Sequence, residues 1–489
     1  MRKFSIIFLL FPIVLYSQIQ LPLSRQTPPE GTSNSQMMEF LNEIIAKKNI
    51  FDFEIAGKSR LQLDIPVIFF PNRNEWKKEN TTVMIFAQQH GNEPSGKEAL
   101  LMLIYEFYLD ANFYDVKNLN LILVPMVNPD GNEIHQRRNS HKYDLNRNHV
   151  ILTEPETQML HQLFEKYKPE VTLDVHEYGY TTWLKQGYIK NFGEQFDCIS
   201  NPAIPAKLKN YALNEILHPT LDLTKSRGVK ANRYLITRGD LTHFVRHSTT
   251  DINDGRNSFG IQNTLSFILE GFNPLIKQES IWQRGKFQLS LIESFLKTCN
   301  QKSTIINKMV TTIRENFSKH PSDSVVIVAD YTINFSNPLE ITLKKTSDFK
   351  DTTIVLPDYR AEPEALKRVK RPDAYIVENP GEQLLQLVTG NFFKHKILTS
   401  NKKFRTEKFM ITGRDTLHYE SRSTVIPTGY YKTENTIFSA GSLLIPTNNN
   451  QANQIVQIFE AESFYGLSHY PEYKFLLKNN EYPIYRVYF

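Results

Sequence analysis

Eight residues, Gln89 to Gly96 (QHGNEPSG), link a strand-like run, Thr82 to Ala87, to a helix-like one that opens at Pro94 with apolar residues at helical spacing. The same order recurs downstream. Strand-like Leu119 to Val127 is followed by a helix in which Thr153 and Glu156 form a capping-box pattern and Pro155 sits in the first turn. That helix carries Met159, Leu160, Leu163, Phe164 and Tyr167 on one face and stops before Pro169. Strand-like Val171 to Val175 comes next, and helical runs at Pro205 to Ile216 and Leu275 to Leu296 bracket a further strand, Thr264 to Leu269, that ends in Glu270. Such alternation predicts an α/β sheet with helices on both faces, whose ligands lie outside the carboxyl ends of the strands. His90, Asn128 and His176 all fall at or just after such ends.

The other segments divide the chain. At 489 residues it is too long for one ordinary core. Arg2 and Lys3 precede an apolar run, Phe4 to Tyr16, too short to span a bilayer, so residues 1–17 read as a signal peptide and the mature chain as secreted or periplasmic, without stable membrane insertion. Residues 18–44 read as a loose polar arm followed by an amphipathic helix from Met37. Residues 45–300 hold the alternating pattern. Beyond about residue 300, Thr, Ser and Lys become frequent among short β-like runs (325–328, 339–343, 353–356, 409–412) and two helical segments (382–388, 454–461), which predicts a smaller mixed α/β domain over 301–489. A formal charge of +5 with no Lys and Arg cluster beyond Lys367 to Arg371, read as a solvated face, speaks against a nucleic-acid partner. Cys198 and Cys299 lie in no metal-like pattern, and their spacing predicts no disulfide.

An imidazole and a carboxylate three residues apart on one turn, His90 and Glu93, can hold a divalent metal from the same side. A catalytic zinc usually takes three protein ligands and keeps a fourth position for water. A carboxylate at a helix start also suits the helix dipole, so the pair alone leaves both readings open. His176, at the end of a central strand, is placed to supply the third ligand. Residues 128–148 (NPDGNEIHQRRNSHKYDLNRN) form a long polar segment with Arg137, Arg138, Asn146 and Arg147. Guanidinium groups beside a metal suit a substrate that is anionic at one end and develops an oxyanion at its centre. Glu270 is then available as a general base. His243 and His247 read as structural or surface residues.

HGNE, NPDG, R-x-N ahead of DLNRN, a strand-borne His and a strand-borne Glu, in that order, resemble the zinc carboxypeptidase family over about residues 45–300. The resemblance implies a mixed central sheet and one zinc ion per chain bound by His90, Glu93 and His176, with Asp144 hydrogen-bonded behind His90. It also implies that Arg137, two before Asn139, faces the oxyanion, that Asn146 and Arg147 grip the substrate carboxylate, that Tyr178 touches substrate and that Glu270 is the base. The tyrosine this family carries some twenty residues before the glutamate is missing here, and Arg256 is either a replacement contact or an ordinary surface arginine. The implied activity is hydrolysis of a peptide or amide bond near a free carboxylate by an exported zinc peptidase. Cell-wall peptides or N-acyl amino acids would suit the same chemistry, and a binding or adhesion protein with a vestigial zinc site is the reading from another class. The C-terminal region, with RPDAYIV and YPIYRV, resembles extensions of some bacterial members and receives no chemistry.

Overall fold

The computed structural model describes residues 19–489 apart from 28–29, 113–114, 180, 238–243, 274–279, 333–336 and 420–421. The expected signal peptide and His243 lie outside the described residues, and no helix among those described is long and apolar enough to cross a membrane.

Eight strands form the central sheet: β1 (Asp52–Lys58), β2 (Asp64–Phe70), β3 (Thr81–Ala87), β4 (Leu119–Val124), β5 (Val171–Tyr178), β7 (Glu194–Cys198), β8 (Ala231–Arg233) and β9 (Leu265–Phe272), with the short β6 (Tyr188–Lys190) lying outside it. Their order is β1-β2-β4-β3-β5-β9-β7-β8. The middle of this sheet (β4, β3, β5, β9) is parallel, while β1, β2 and the β9–β7 pair are antiparallel, so the sheet is mixed. Alternate residues of β3 serve two cores. Val83, Ile85 and Ala87 pack with α1 (Asn34–Lys47), α2 (Ser95–Leu109) and α5 (Ile281–Gln301), whereas Met84 and Phe86 pack with α4 (Pro155–Tyr167) and Phe259. Both faces are therefore covered, as a mostly parallel sheet requires. His176 and Glu270 point to the α4 side of their strands, at the carboxyl edge.

Several expectations change. The arm before α1 is packed rather than loose: Ile19 and Leu23 are buried, Ile19 accepts a hydrogen bond from the Tyr105 hydroxyl (2.9 Å), and Thr32 donates to Glu98. Helix α1 begins three residues before Met37 because Ser33 and Gln36 build a reciprocal capping box there. Thr153 and Glu156 do not form one. Glu154 is the N-cap of α4, and the Thr153 hydroxyl instead accepts from Asn148 (2.7 Å). The expected boundary at residue 300 falls where α5 gives way to α6 (Ser303–Lys319), and Ser303 still bonds Thr81 of β3. The C-terminal six-stranded antiparallel sheet, which includes Ala374–Val377, Lys402–Tyr419, Arg422–Phe438 and Ile484–Tyr488, shares one continuous buried core with the first region. Beyond residue 331, β10 (Leu339–Lys345) pairs in register with β6, so the C-terminal region reaches the neighbourhood of the central sheet's edge. Cys198 and Cys299 are both buried and unpaired.

Candidate metal centre

The HGNE and NPDG turns interlock, which explains their glycines. A Cβ on Gly91 would lie 2.0 Å from the Gly131 carbonyl carbon, so only two glycine-bearing turns can cross there. Asn128 caps the second turn by accepting from Gly131 N–H (2.8 Å) and ties it to the first by donating to the Gln89 carbonyl (3.0 Å). Segment 128–148 thereby gains order despite having few apolar residues, with α3 (Pro129–Glu133) at its start.

On this base three donors converge. His90 Nδ1 lies 2.9 Å from Glu93 Oε1, His176 Nδ1 lies 2.9 Å from Glu93 Oε2, and the two Nδ1 atoms are 3.1 Å apart. Among the described residues His90, Glu93 and His176 are the one group of three or more potential ligands whose donor atoms lie within 4.8 Å of one another, and all three are buried. Each imidazole is backed by a carboxylate: His90 Nε2 is 3.1 Å from Asp144 Oδ1, and His176 Nε2 is 2.9 Å from Asp174 Oδ1. If each ring carries its proton on Nε2, toward these carboxylates, each Nδ1 presents a lone pair to the centre, the arrangement that orients histidine toward a metal. This donor set of two nitrogens and a carboxylate fits zinc.

The electrostatics agree with a cation at that point. Burial would raise the Glu93 carboxyl, but the charge of His90 and the hydrogen bonds from His176 and His90 hold it far below the usual carboxylate range. Burial would likewise raise Asp144, and the His90 hydrogen bond with the nearby charges of His90, Arg137 and Arg147 overcomes it. Burial pushes His176 down, yet Asp174 and Glu93 drive it well above an ordinary imidazole. Two anions thus demand positive charge between them, which a divalent ion supplies without a proton.

Behind His176 runs a buried relay. Asp174 accepts from Gln89 Nε2 (2.9 Å), Gln89 Oε1 lies 2.8 Å from His149 Nε2, and His149 Nδ1 lies 3.0 Å from His161 Nε2. One assignment satisfies every link: each imidazole donates from Nε2, and His149 accepts at Nδ1. Burial keeps both relay histidines neutral, His161 falling to about 3 and His149 well below its ordinary value. Asp174, Gln89, His149 and His161 escaped the sequence reading; the alternation Asp174–His176 on one strand face was the signal available for the first.

The other expected residues are distributed as follows. Glu270 is buried and stands directly opposite His176 in the parallel β5–β9 register. Burial and the Glu93 charge push its carboxyl up to about 7, against the cationic pull of His176, His90 and Arg137. Arg137 reaches inward to Glu93 Oε1 (3.3 Å) and Asp144 Oδ2 (3.0 Å). Asn146 Nδ2 is 3.1 Å from His176 Nε2, and its Oδ1 accepts from Gly255 N–H (2.7 Å). Arg147 is half-buried beside Asn146, whose carbonyl takes one of its donors (2.6 Å). The Tyr178 hydroxyl donates to the Phe192 carbonyl (3.0 Å), so that hydroxyl is engaged within the protein. Arg256 is corrected on one of its two readings: it is no surface arginine. It is fully buried, and its guanidinium bonds Ser248, the Thr249 carbonyl and Asp254 (3.3 Å), so its donors brace the loop that supports Asn146. His247 is structural, bound by Tyr234 and Tyr359.

A carboxyl-edge site of two imidazoles and a carboxylate, with an arginine and a buried glutamate beside it, defines a metal-dependent hydrolase. Residues 37–214 match the family model described as zinc carboxypeptidase. Carboxypeptidase 2 of Trichophyton tonsurans is 23% identical over 413 residues, covering 81% of this chain and 75% of that protein. The probable carboxypeptidase 2 of Arthroderma benhamiae is 24% identical over 472 residues, covering 90% and 88%. Among solved structures, carboxypeptidase A from Helicoverpa armigera aligns with a TM-score of 0.44 at 15% identity over 57% of this chain and 79% of that one. Over these residues the chain is similar to zinc carboxypeptidases, which together with the site supports a zinc-dependent hydrolase. The family match includes all three candidate ligands and ends before Glu270.

Proposed function

We propose that the chain is an exported carboxypeptidase holding one zinc ion through His90, Glu93 and His176, and that it removes a C-terminal residue from peptides with Glu270 as general base. The observation that carries this reading is the register of β5 and β9, which sets Glu270 beside His176 and hence beside the converging donors. A zinc ion bound there supplies Lewis acidity for the scissile carbonyl and lowers the pKa of water to about 7.

The remaining steps belong to the protein. Glu270 takes a proton from the attacking water and hands it to the leaving amine; its raised pKa suits both halves of that task. Arg137, anchored by Asp144 at one nitrogen, turns a further donor toward the developing oxyanion. Arg147 and the Asn146 amide receive the substrate's terminal carboxylate, and the buried Arg256 loop holds Asn146 in place. We assign the catalytic unit to residues 45–300 and treat 301–489 as its support. The test compares hydrolysis of N-acyl dipeptides by the parent chain and by Glu270→Ala, with zinc content measured in both. Loss of turnover with zinc retained is expected; unchanged turnover removes Glu270 from the reaction.

A further inference from the structure

Three strands place a row of side chains across the carboxyl edge. His176 on β5 stands opposite Glu270 on β9, and Glu270 stands opposite Gln195 on β7. With strands about 4.8 Å apart, Gln195 lies about two strand spacings from the ligand-bearing strand, on the far side of the base. The ammonium of Lys190 ends this row, donating to Gln195 Oε1 (2.7 Å) and to the Leu235 carbonyl (3.0 Å). It sits over the rings of Tyr178 (4.4 Å), Trp183 (5.5 Å) and Phe192 (5.9 Å). β6 is fixed there by β10, Lys190 pairing with Leu343. No carboxylate among the described residues lies within 4.0 Å of the ammonium, and Glu270 is the one charge that acts on it appreciably. Burial pushes Lys190 down to about 7, and both of its acceptors are neutral, so the charged form keeps a third donor for an anion. A buried ammonium among aromatic rings, whose one charged neighbour Glu270 lies beyond ion-pair distance, is stabilised when an anionic group completes its surroundings.

We propose that Lys190 is a specificity-determining residue: it pairs with a carboxylate on the side chain of the released residue, so that peptides ending in Glu or Asp are preferred over neutral ones. This rests on the carboxypeptidase reading, in which Arg147 and Asn146 take the main-chain carboxylate and leave the side chain to extend past Glu270 along the row. The aromatic rings receive the methylene groups and exclude water, which strengthens the charge pair. The probes are two N-acyl dipeptides, ending Gly-Glu and Gly-Gln, that differ in one charge. Their kcat/KM ratio is expected to favour Glu at least about tenfold in the parent chain, to fall to about 1 in Lys190→Met, and to be largely restored in Lys190→Arg. Binding of both peptides to zinc-loaded Glu270→Gln, by calorimetry, gives the same discrimination without turnover, so a failure of the catalytic reading leaves the preference measurable. A parent ratio near 1 in both assays overturns the proposal. So does Lys190→Met when it alters the pH profile for both peptides but keeps their ratio, because Lys190 would then act on Glu270 and not on substrate.

Discussion

Two buried carboxylates, Glu93 at the edge of the central sheet and Glu460 against the C-terminal sheet, are both surrounded by donors, yet they are closed in opposite ways. Glu460 is gripped at both oxygens by Arg486 (2.8 and 2.5 Å) and also receives the hydroxyls of Tyr375 (2.6 Å) and Tyr431 (2.8 Å), with the guanidinium stacked 3.5 Å over the Tyr431 ring. Its countercharge is part of the fold. Glu93 faces the Nδ1 atoms of two imidazoles, with a half-exposed Arg137 touching only one oxygen at 3.3 Å. A buried carboxylate with a fixed guanidinium is architecture; one grouped with two imidazole nitrogens has the surroundings of a candidate metal ligand.

That contrast makes distinct demands on substitutions. The largest effect belongs to the base: Glu270→Gln should lower kcat by about 10²–10⁴-fold while zinc stays bound, checked by steady-state kinetics beside metal analysis. Glu460→Gln should lower stability by about 3–5 kcal/mol in denaturant melts, because Arg486 is left buried without its partner, and the folded fraction should keep its zinc. A Glu460 variant that loses zinc while remaining folded would erase the difference between the clusters. Smaller is Asp174→Asn, which weakens the acceptor behind His176 and should reduce zinc affinity about 10–100-fold in competition with a chelator. The smallest is a pH shift. Glu270 must be ionised to act, and its carboxyl is pushed up to about 7, so the rate falls as pH drops through that region, with bound zinc moving the limb lower. Arg137 is one of the cations that lowers it, so Arg137→Met should move the limb to higher pH; a limb that stays put would detach Arg137 from the base.

Much of residues 45–300 was legible because the signals there are local. The alternation of strands and helices announced the sheet, and HGNE, NPDG and DLNRN each bring their polar groups within a few residues of one another. His176 and Glu270 could be placed at strand ends because apolar runs stop there. The relay through Gln89 and His149 was hidden, since it joins residues up to 85 positions apart that carry no pattern of their own. Lys190 was hidden for a different reason: its strand is held by β10, about 150 residues downstream, and three aromatic rings gather around it only in the folded chain. The arm before α1 looked loose because its anchors, Thr32 on Glu98 and Lys97 on the Thr32 carbonyl, are long-range polar bonds. Arg256 gave no sequence sign of burial, since its partners Ser248 and Asp254 resemble any polar loop.

Zinc titration of the metal-stripped full chain, followed by X-ray absorption at the zinc edge, tests the centre most directly. One ion per chain with two imidazole nitrogens and a carboxylate from the protein, lost in His176→Ala, is the expected result. A chain that takes up no zinc, or that binds it equally well after both His90 and His176 are replaced by alanine, would contradict the metal centre described here.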